Sequence, residues 1–155
     1  MPVRSAGILL WRRRGDGLEV WLAHMGGPFW AKKDEGAWSV VKGEFDPDEN
    51  AFAAARREFA EETGQPAPDV AYDELGEFRQ PSGKLITVFA GESDTAPDPV
   101  VSNTFALEWP PRSGRMREFP EIDDARWFSL ADARAKIVKG QRAILDALAA
   151  RLAGG

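Results

Sequence analysis

Three glutamates, Glu58, Glu61 and Glu62, stand at i, i+3 and i+4. In a helix turning about 100° per residue these positions span about 100° of the surface, so the carboxylates share one face. Phe52, Ala55 and Phe59 fall at i, i+3 and i+7 of the same stretch and mark the stripe that meets the core. The carboxylates border that stripe and are therefore expected at the core edge, partly dehydrated. Like charges held there repel one another, and Arg57, beside Glu61 on the helical wheel, offsets only part of the repulsion. A hard divalent cation offsets the rest. Magnesium prefers oxygen ligands, keeps several waters and bridges carboxylates to substrate phosphates. The chemistry such a site supports is attack of water on a diphosphate. The ion withdraws charge and stabilises the leaving oxygens, and a further carboxylate accepts the water's proton. Taken alone, E-x-x-E-E is more simply a solvated helix face.

The elements that must position this face follow from pattern. Val3 to Trp11 reads as a strand, turned at Arg13-Arg14-Gly15-Asp16-Gly17 into a second strand, Leu18 to His24. The arginines there read as a solvated hairpin end. Gly26, Gly27 and Pro28 open a loop that carries Phe29, Trp30, Lys32 and Lys33, and a short strand from Trp38 to Val41 leads into Lys42-Gly43-Glu44. Residues 50 to 63 form the clearest helix. Asn50 is a candidate N-cap, and Asp46, with Pro47 next and Glu49 three residues on, is an alternative start. Gly64 ends the helix. Extended segments follow near Val70–Arg79, Lys84–Glu92 and Thr104–Trp109, with a turn at Pro81-Ser82-Gly83. Asp94 to Pro99 and Pro110 to Pro120 read as loops. A strand from Ala125 to Phe128 precedes a C-terminal helical region in which Ile144, Leu145, Leu148 and Leu152 recur at core spacing. Strands interleaved with helices imply an α/β or α+β domain with a mixed sheet.

The segment from Gly43 to Gln65 resembles the Nudix box, whose pattern is G, five residues, E, seven residues, R-E-U-x-E-E-x-G-U, with U bulky and apolar. Gly43, Glu49, Arg57, Glu58, Phe59, Glu61, Glu62 and Gly64 match at the required intervals, and Gln65 departs in the last apolar slot. The resemblance to the Nudix family implies an α/β/α sandwich, with a hairpin first, the box helix against a mixed sheet, and a helix last. It implies one domain over residues 1–155. It implies metal ligands at Glu58, Glu61 and Glu62, often joined by the Gly43 carbonyl. Arg57 would orient Glu61 or another box carboxylate, and Glu49 would be a loop-fixing residue or an occasional ligand. A late-loop glutamate commonly serves as ligand or base. Glu121, six residues before Trp127, takes that place, with Glu118 as competitor. The implied cofactor is Mg2+ or Mn2+. The implied reaction is hydrolysis of a nucleoside diphosphate-X substrate to NMP and P-X. The alternative is a silent, nucleotide-binding member of the family; such domains usually lose box carboxylates, and none is lost here.

Loops outside the box choose X. Lys42, Lys32 and Lys33 are candidates for phosphate, and Trp30, Trp38 and Trp109 for stacking a base. The strand-plus-KGE entry and the Glu121-to-Trp127 spacing are similar to diadenosine tetraphosphate hydrolases, although Ala125 stands where those carry Tyr. Pro81 resembles a marker of ADP-ribose hydrolases, but its Pro-Ser-Gly turn explains it without a substrate. Nucleoside triphosphates, damaged ones included, remain a third class.

The bulk numbers narrow the field. The chain has 155 residues, 43% of them hydrophobic and 29% charged, enough for one substantial core. A net charge of -5 without a segregated basic face argues against duplex nucleic acid. An anionic substrate then needs local cations or a metal to reverse the field. The absence of cysteine removes disulfides and thiol chemistry and fits a reducing compartment. No run is long enough for a signal-peptide core or a membrane span, so a cytoplasmic protein is expected. The lone histidine, His24, reads as structural. A homodimer is common among similar proteins, but no residue demands one.

Overall fold

The computed structural model describes residues 3–154. Strands β1 (Arg4–Arg14) and β2 (Gly17–Met25) form the opening hairpin, three residues longer at its tip than the apolar run alone suggests. The extension runs over the arginines, which find partners along the hairpin. The Arg12 Nη2 lies 2.7 Å from Glu19 across the strands, and its guanidinium lies over the Trp127 ring.

The hairpin then splays, and the next segment fills the gap. Trp38 and Ser39 (β3) pair with β2, whereas Val41–Glu44 (β4) pairs with β1, so the chain crosses from one strand to the other at Val40. The single strand expected from Trp38 to Val41 is thus two. Gly43 comes to lie opposite Ala6, and Lys42 opposite Gly7. Gly7 is required there, because a Cβ would stand 2.8 Å from the Val41 carbonyl oxygen.

β5 (Tyr72–Arg79) and β6 (Leu85–Glu92) follow the box helix α1 (Ala51–Thr63). β6 runs parallel to β1, and β9 (Ile122–Ser129) pairs antiparallel with β2, giving a seven-stranded mixed sheet. Period-two alternation sorts the side chains. Leu9, Val20, Leu22, Ile86 and Val88 face one core with α2 (Leu130–Lys136), the 3-10 turn Lys139–Gln141 and α3 (Arg142–Gly154). Ile8, Leu10, Trp21 and Phe89 face the other with Ala54, Ala55 and Phe59 of α1. The architecture is the α/β/α sandwich. Ile144, Leu145 and Leu148 are buried as expected, and Leu152 packs at the margin.

A further expectation fails. The Pro/Gly/Arg-rich stretch 110–120 is not loop throughout: Met116–Pro120 forms β8 and pairs with β7 (Thr104–Glu108) as a separate two-stranded arm. Its apolar positions are few and only its Phe105 and Phe119 rings meet across the strands, so the sequence carries little strand periodicity there. No helix among the described residues is long and apolar enough to cross a membrane.

Candidate active site

α1 presents the box. Asn50 is its N-cap: the side-chain oxygen accepts from the Ala53 amide at 3.0 Å. The alternative start at Asp46 survives as a turn before the helix, with Glu49 Oε1 accepting from the Asp46 amide at 3.3 Å. Gly64, at φ 81°, closes the helix by donating to the Ala60 carbonyl. Gln65 is exposed, and its backbone is held by the Thr63 hydroxyl, so the box's last apolar slot needs no apolar side chain here.

The buried face of α1 reads Ala54, Ala55, Glu58, Phe59, Glu62 and Thr63. Two of the three glutamates therefore sit on the core side, at 8% and 9% exposure for Glu58 and Glu62, while Glu61 lies outward. β4 explains how this is tolerated. Gly43 has no side chain, and a Cβ there would collide with the Glu58 carboxylate. The bare backbone of Gly43 is the seat that Glu58 occupies.

Arg57 ties the outer carboxylates together. Its Nε and Nη2 reach Glu49 at 3.2 and 3.1 Å, and its Nη1 reaches Glu58 at 2.9 Å and Glu61 at 3.3 Å. Donation to Glu49, more than any other contact, holds the guanidinium firmly protonated. Glu49 is thereby a clamp on Arg57 rather than a lining of the cleft.

Glu121 stands at the junction of β8 and β9. Its amide donates to the Asn103 carbonyl at 2.9 Å, and its carbonyl accepts from Gly26 at 2.9 Å. Asn103 in turn donates to the Glu61 carbonyl at 3.0 Å, so the base of the β7–β8 arm is fastened to the end of α1. Glu58, Glu61, Glu62 and Glu121 line one cleft of about 390 Å³ with Lys42, Lys84 and Gly43. Glu118 is exposed on β8 and does not line it. Among the described residues, no three acidic or imidazole groups already converge closely enough to close on an ion, since Glu58 and Glu61 both turn to Arg57.

The electrostatics report the crowding. Burial, then repulsion from Glu121, Glu58 and Glu61, pushes the Glu62 carboxyl up to about 8. Burial raises Glu58 as well, against the pull of Arg57. Burial lowers Lys42, and neighbouring Lys84 adds to that, while Glu44, Glu62 and Glu121 pull the other way. The anionic groups lining the cleft are all carboxylates, Glu44, Glu58, Glu61, Glu62 and Glu121, and with the Gly43 carbonyl they make an oxygen set that suits a hard divalent ion.

The other predicted residues divide. Trp30 lines a second cavity that shares Lys42, Glu62 and Glu121 with the first. Trp38 does not serve as a substrate platform. It is 4% exposed, edge-on to His24 and Phe128, with its Nε1 donating to Asp34 at 2.9 Å. Its place on β3 puts it in the core. Lys32 is exposed and lines neither cavity, and Trp109 packs edge-on against Phe29. His24 is structural, as expected: its ring lies 2.7 Å from Asp123, the extra residue of a bulge in β9, and 2.6 Å from the Lys33 carbonyl.

Sequence reading missed Lys84, Asn103, Gln80 and Gln141 at these cavities. Lys84 reaches the cleft because Leu85 pairs with Arg4 across a parallel crossover, a contact no local pattern announces.

The comparisons agree with this geometry. The NUDIX domain family model matches residues 1–148. No curated protein sequence matches the chain. The chain is similar to the structure of a C. elegans Ap4A hydrolase binary complex, with TM-score 0.68 and 21% identity over 97% of this chain and 99% of that one. It is also similar to the NUDIX domain of Shewanella oneidensis NrtR complexed with ADP ribose, with TM-score 0.65 and 16% identity over 98% and 89%. A third likeness is a mutT/nudix family protein from Listeria innocua, with TM-score 0.63 and 18% identity over 99% and 96%. At such identities the solved structures establish the fold. With the family match spanning nearly the whole chain and every box carboxylate in place, the chain belongs to the NUDIX family, as a hydrolase of the Nudix type.

Proposed function

We propose that the protein hydrolyses a diphosphate linkage in a nucleoside diphosphate-X substrate, giving NMP and P-X, with Mg2+ or Mn2+ as cofactor. The observation that carries this reading is the meeting of Glu58, Glu61, Glu62 and Glu121 on one cleft with Lys42 and Lys84. Glu58, Glu61, Glu62 and the Gly43 carbonyl would hold the ion, and Glu121 lines the same cleft. When bound, the ion supplies charge neutralisation at the diphosphate and a more acidic water.

The chain's own residues do the rest. Lys42 and Lys84 bind the phosphate oxygens and oppose the molecule's net negative field. Arg57, clamped by Glu49, orients Glu58 and Glu61. Water attacks one phosphorus, the bond to the bridging oxygen breaks, and the electron pair leaves with the departing phosphate. The water's proton passes to a carboxylate oxygen of Glu121 or Glu62, the two acids that line both cavities.

The test is a substrate panel with magnesium or manganese: dinucleoside polyphosphates, nucleoside triphosphates and their oxidised forms, ADP-ribose, NADH and nucleotide sugars. Turnover of one class, abolished by Glu61→Gln or Glu62→Gln with the fold intact, is the expected result. Normal turnover by those variants overturns the assignment. Tight nucleotide binding without turnover of anything makes this a binding module instead.

A further inference from the structure

One hydroxyl at the cleft has no partner. Ser5 is 3% exposed, yet its side chain makes no hydrogen bond among the described residues. None of the described side chains has a polar atom sealed off without a partner, so the Ser5 oxygen must reach open space, and the cavity that Ser5 lines is the carboxylate cleft. Polar groups at such depth are nearly always bonded, and an unmade bond there is costly. Alanine would fill this strand position without that cost.

The neighbouring strands explain what the hydroxyl meets. β1 lies between β4 and β6 here, and Ser5 stands opposite Glu44 on one side and Ile86 on the other. Period-two alternation puts Ser5 and Gly7 on the face of Leu9, together with their β4 partners Glu44 and Lys42. Gly7 lets the Lys42 side chain lie across β1, since a Cβ on Gly7 would stand 2.9 Å from the Lys42 Cβ. Lys84 comes in two residues before Ile86. The box glutamates approach from the other face, where Glu58 rests on Gly43 opposite Ala6. Among the described residues neither the Lys42 nor the Lys84 ammonium makes a hydrogen bond or an ion pair. Glu44 is exposed and takes no hydrogen bond from Ser5. The cleft therefore sets the acids of α1 against three unengaged donors from the sheet, two ammoniums and one hydroxyl.

Two ammoniums disfavour a cation at that hydroxyl, and a neutral group would leave them unmatched. A tetrahedral oxyanion offers an oxygen to each donor. The lysines attract it as point charges on flexible stems and do not fix its rotation. Ser5, on a central strand with a single side-chain torsion, is the donor whose position is fixed.

We propose that Ser5 is a substrate ligand, whose hydroxyl donates to a non-bridging oxygen of the phosphate that Lys42 and Lys84 attract and so sets that phosphate's rotation against the carboxylate side. The inference rests on the hydrolytic reading above for the diphosphate and on this strand position alone for the hydroxyl.

Calorimetric titration of the full chain with methylene diphosphonate and magnesium tests the contact apart from turnover, because that probe cannot be cleaved. Ser5→Ala weakens binding about tenfold, as loss of a hydrogen bond to a charged acceptor does. Ser5→Cys, which keeps the side chain's shape and gives up the strong donor, weakens it similarly. The rise in melting temperature that magnesium alone gives is unchanged in both variants. Failure of the native chain to bind the diphosphonate, or equal binding by either variant, overturns the proposal. So does loss of the magnesium response in both variants, which makes Ser5 a packing residue. Serine-dependent binding without turnover of any substrate retires the hydrolytic reading and leaves the contact standing. Turnover with binding that ignores Ser5 does the reverse.

Discussion

Glu62 is burdened both by burial and by the neighbouring carboxylates of Glu121, Glu58 and Glu61. Its carboxyl stands at about 8 against 4.5 for an unhindered glutamate, chiefly through burial and then through the neighbouring acids. The native state therefore binds a proton that the unfolded chain has released over that interval. The stability this confers is fully present below 4.5 and is lost as pH rises through about 8, each unit of separation corresponding to about 1.4 kcal/mol. In EDTA the melting temperature falls between pH 5 and pH 8, and Glu62→Gln flattens the fall and melts higher at pH 8. Magnesium must displace the same proton, so the rise in melting temperature it gives the native protein is larger at pH 8 than at pH 6. A rise that is the same at both values contradicts this account. Arg57 offers the converse case. Arg57→Lys keeps the charge and loses the forked grip on Glu49, so turnover falls about tenfold or more. Stability changes by less than about 1 kcal/mol, because the charge is kept and Arg57 and Glu49 are both partly exposed.

Elements place these residues, and here the legibility of the sequence is uneven. The box helix, its Asn50 cap and its Gly64 terminus can be read from spacing, since caps and helical periodicity are local. The buried rank of Glu58 and Glu62 is not, because it depends on Gly43 arriving by way of β4. Trp38 reads as a stacking platform only until β3 puts it inside. Lys84, Gln80 and Gln141 belong to the cavities through the β1–β6 crossover and the contact of the β5–β6 turn with the 3-10 turn, which are long-range. Glu121 is legible from its interval to Trp127, yet of the arm that pins it only β7 is legible as extended, and β8 reads as loop. Its anchor is testable. Gly26 has no room for a Cβ beside the Pro120 carbonyl, so Gly26→Ala pushes β8 away and carries Glu121 with it. The expected result is a drop in turnover of about tenfold or more with the magnesium-induced rise in melting temperature largely kept, because Glu58, Glu61 and Glu62 do not move. Asn50→Ala, by contrast, costs about 1 kcal/mol of stability and is read by denaturant titration.

At the scale of the molecule the two cores answer to different tasks. The α1 side carries the carboxylates, and the α2–α3 side is mainly apolar packing, with the Gln141 amide bonded inside it to Val40 and Ser39. Leu148→Ala, in the fully buried interior of α3, costs about 2–5 kcal/mol. Distant sites contribute additively, so the gain in melting temperature on adding magnesium is the same as in the native protein. A variant that loses that gain would show that the two layers are coupled.

The splayed hairpin has a further consequence. Because Trp38–Ser39 is locked to β2 and Val41–Glu44 to β1, the chain between Met25 and Trp38 can change length or composition while Gly43 stays in register with Ala6. That stretch holds Trp30, whereas the carboxylates of the cleft lie wholly outside it. Within that stretch Asp34 and the Lys33 carbonyl hold the buried Trp38 and His24, so residues 28–32 are the part a foreign sequence can replace without leaving those two side chains unpaired.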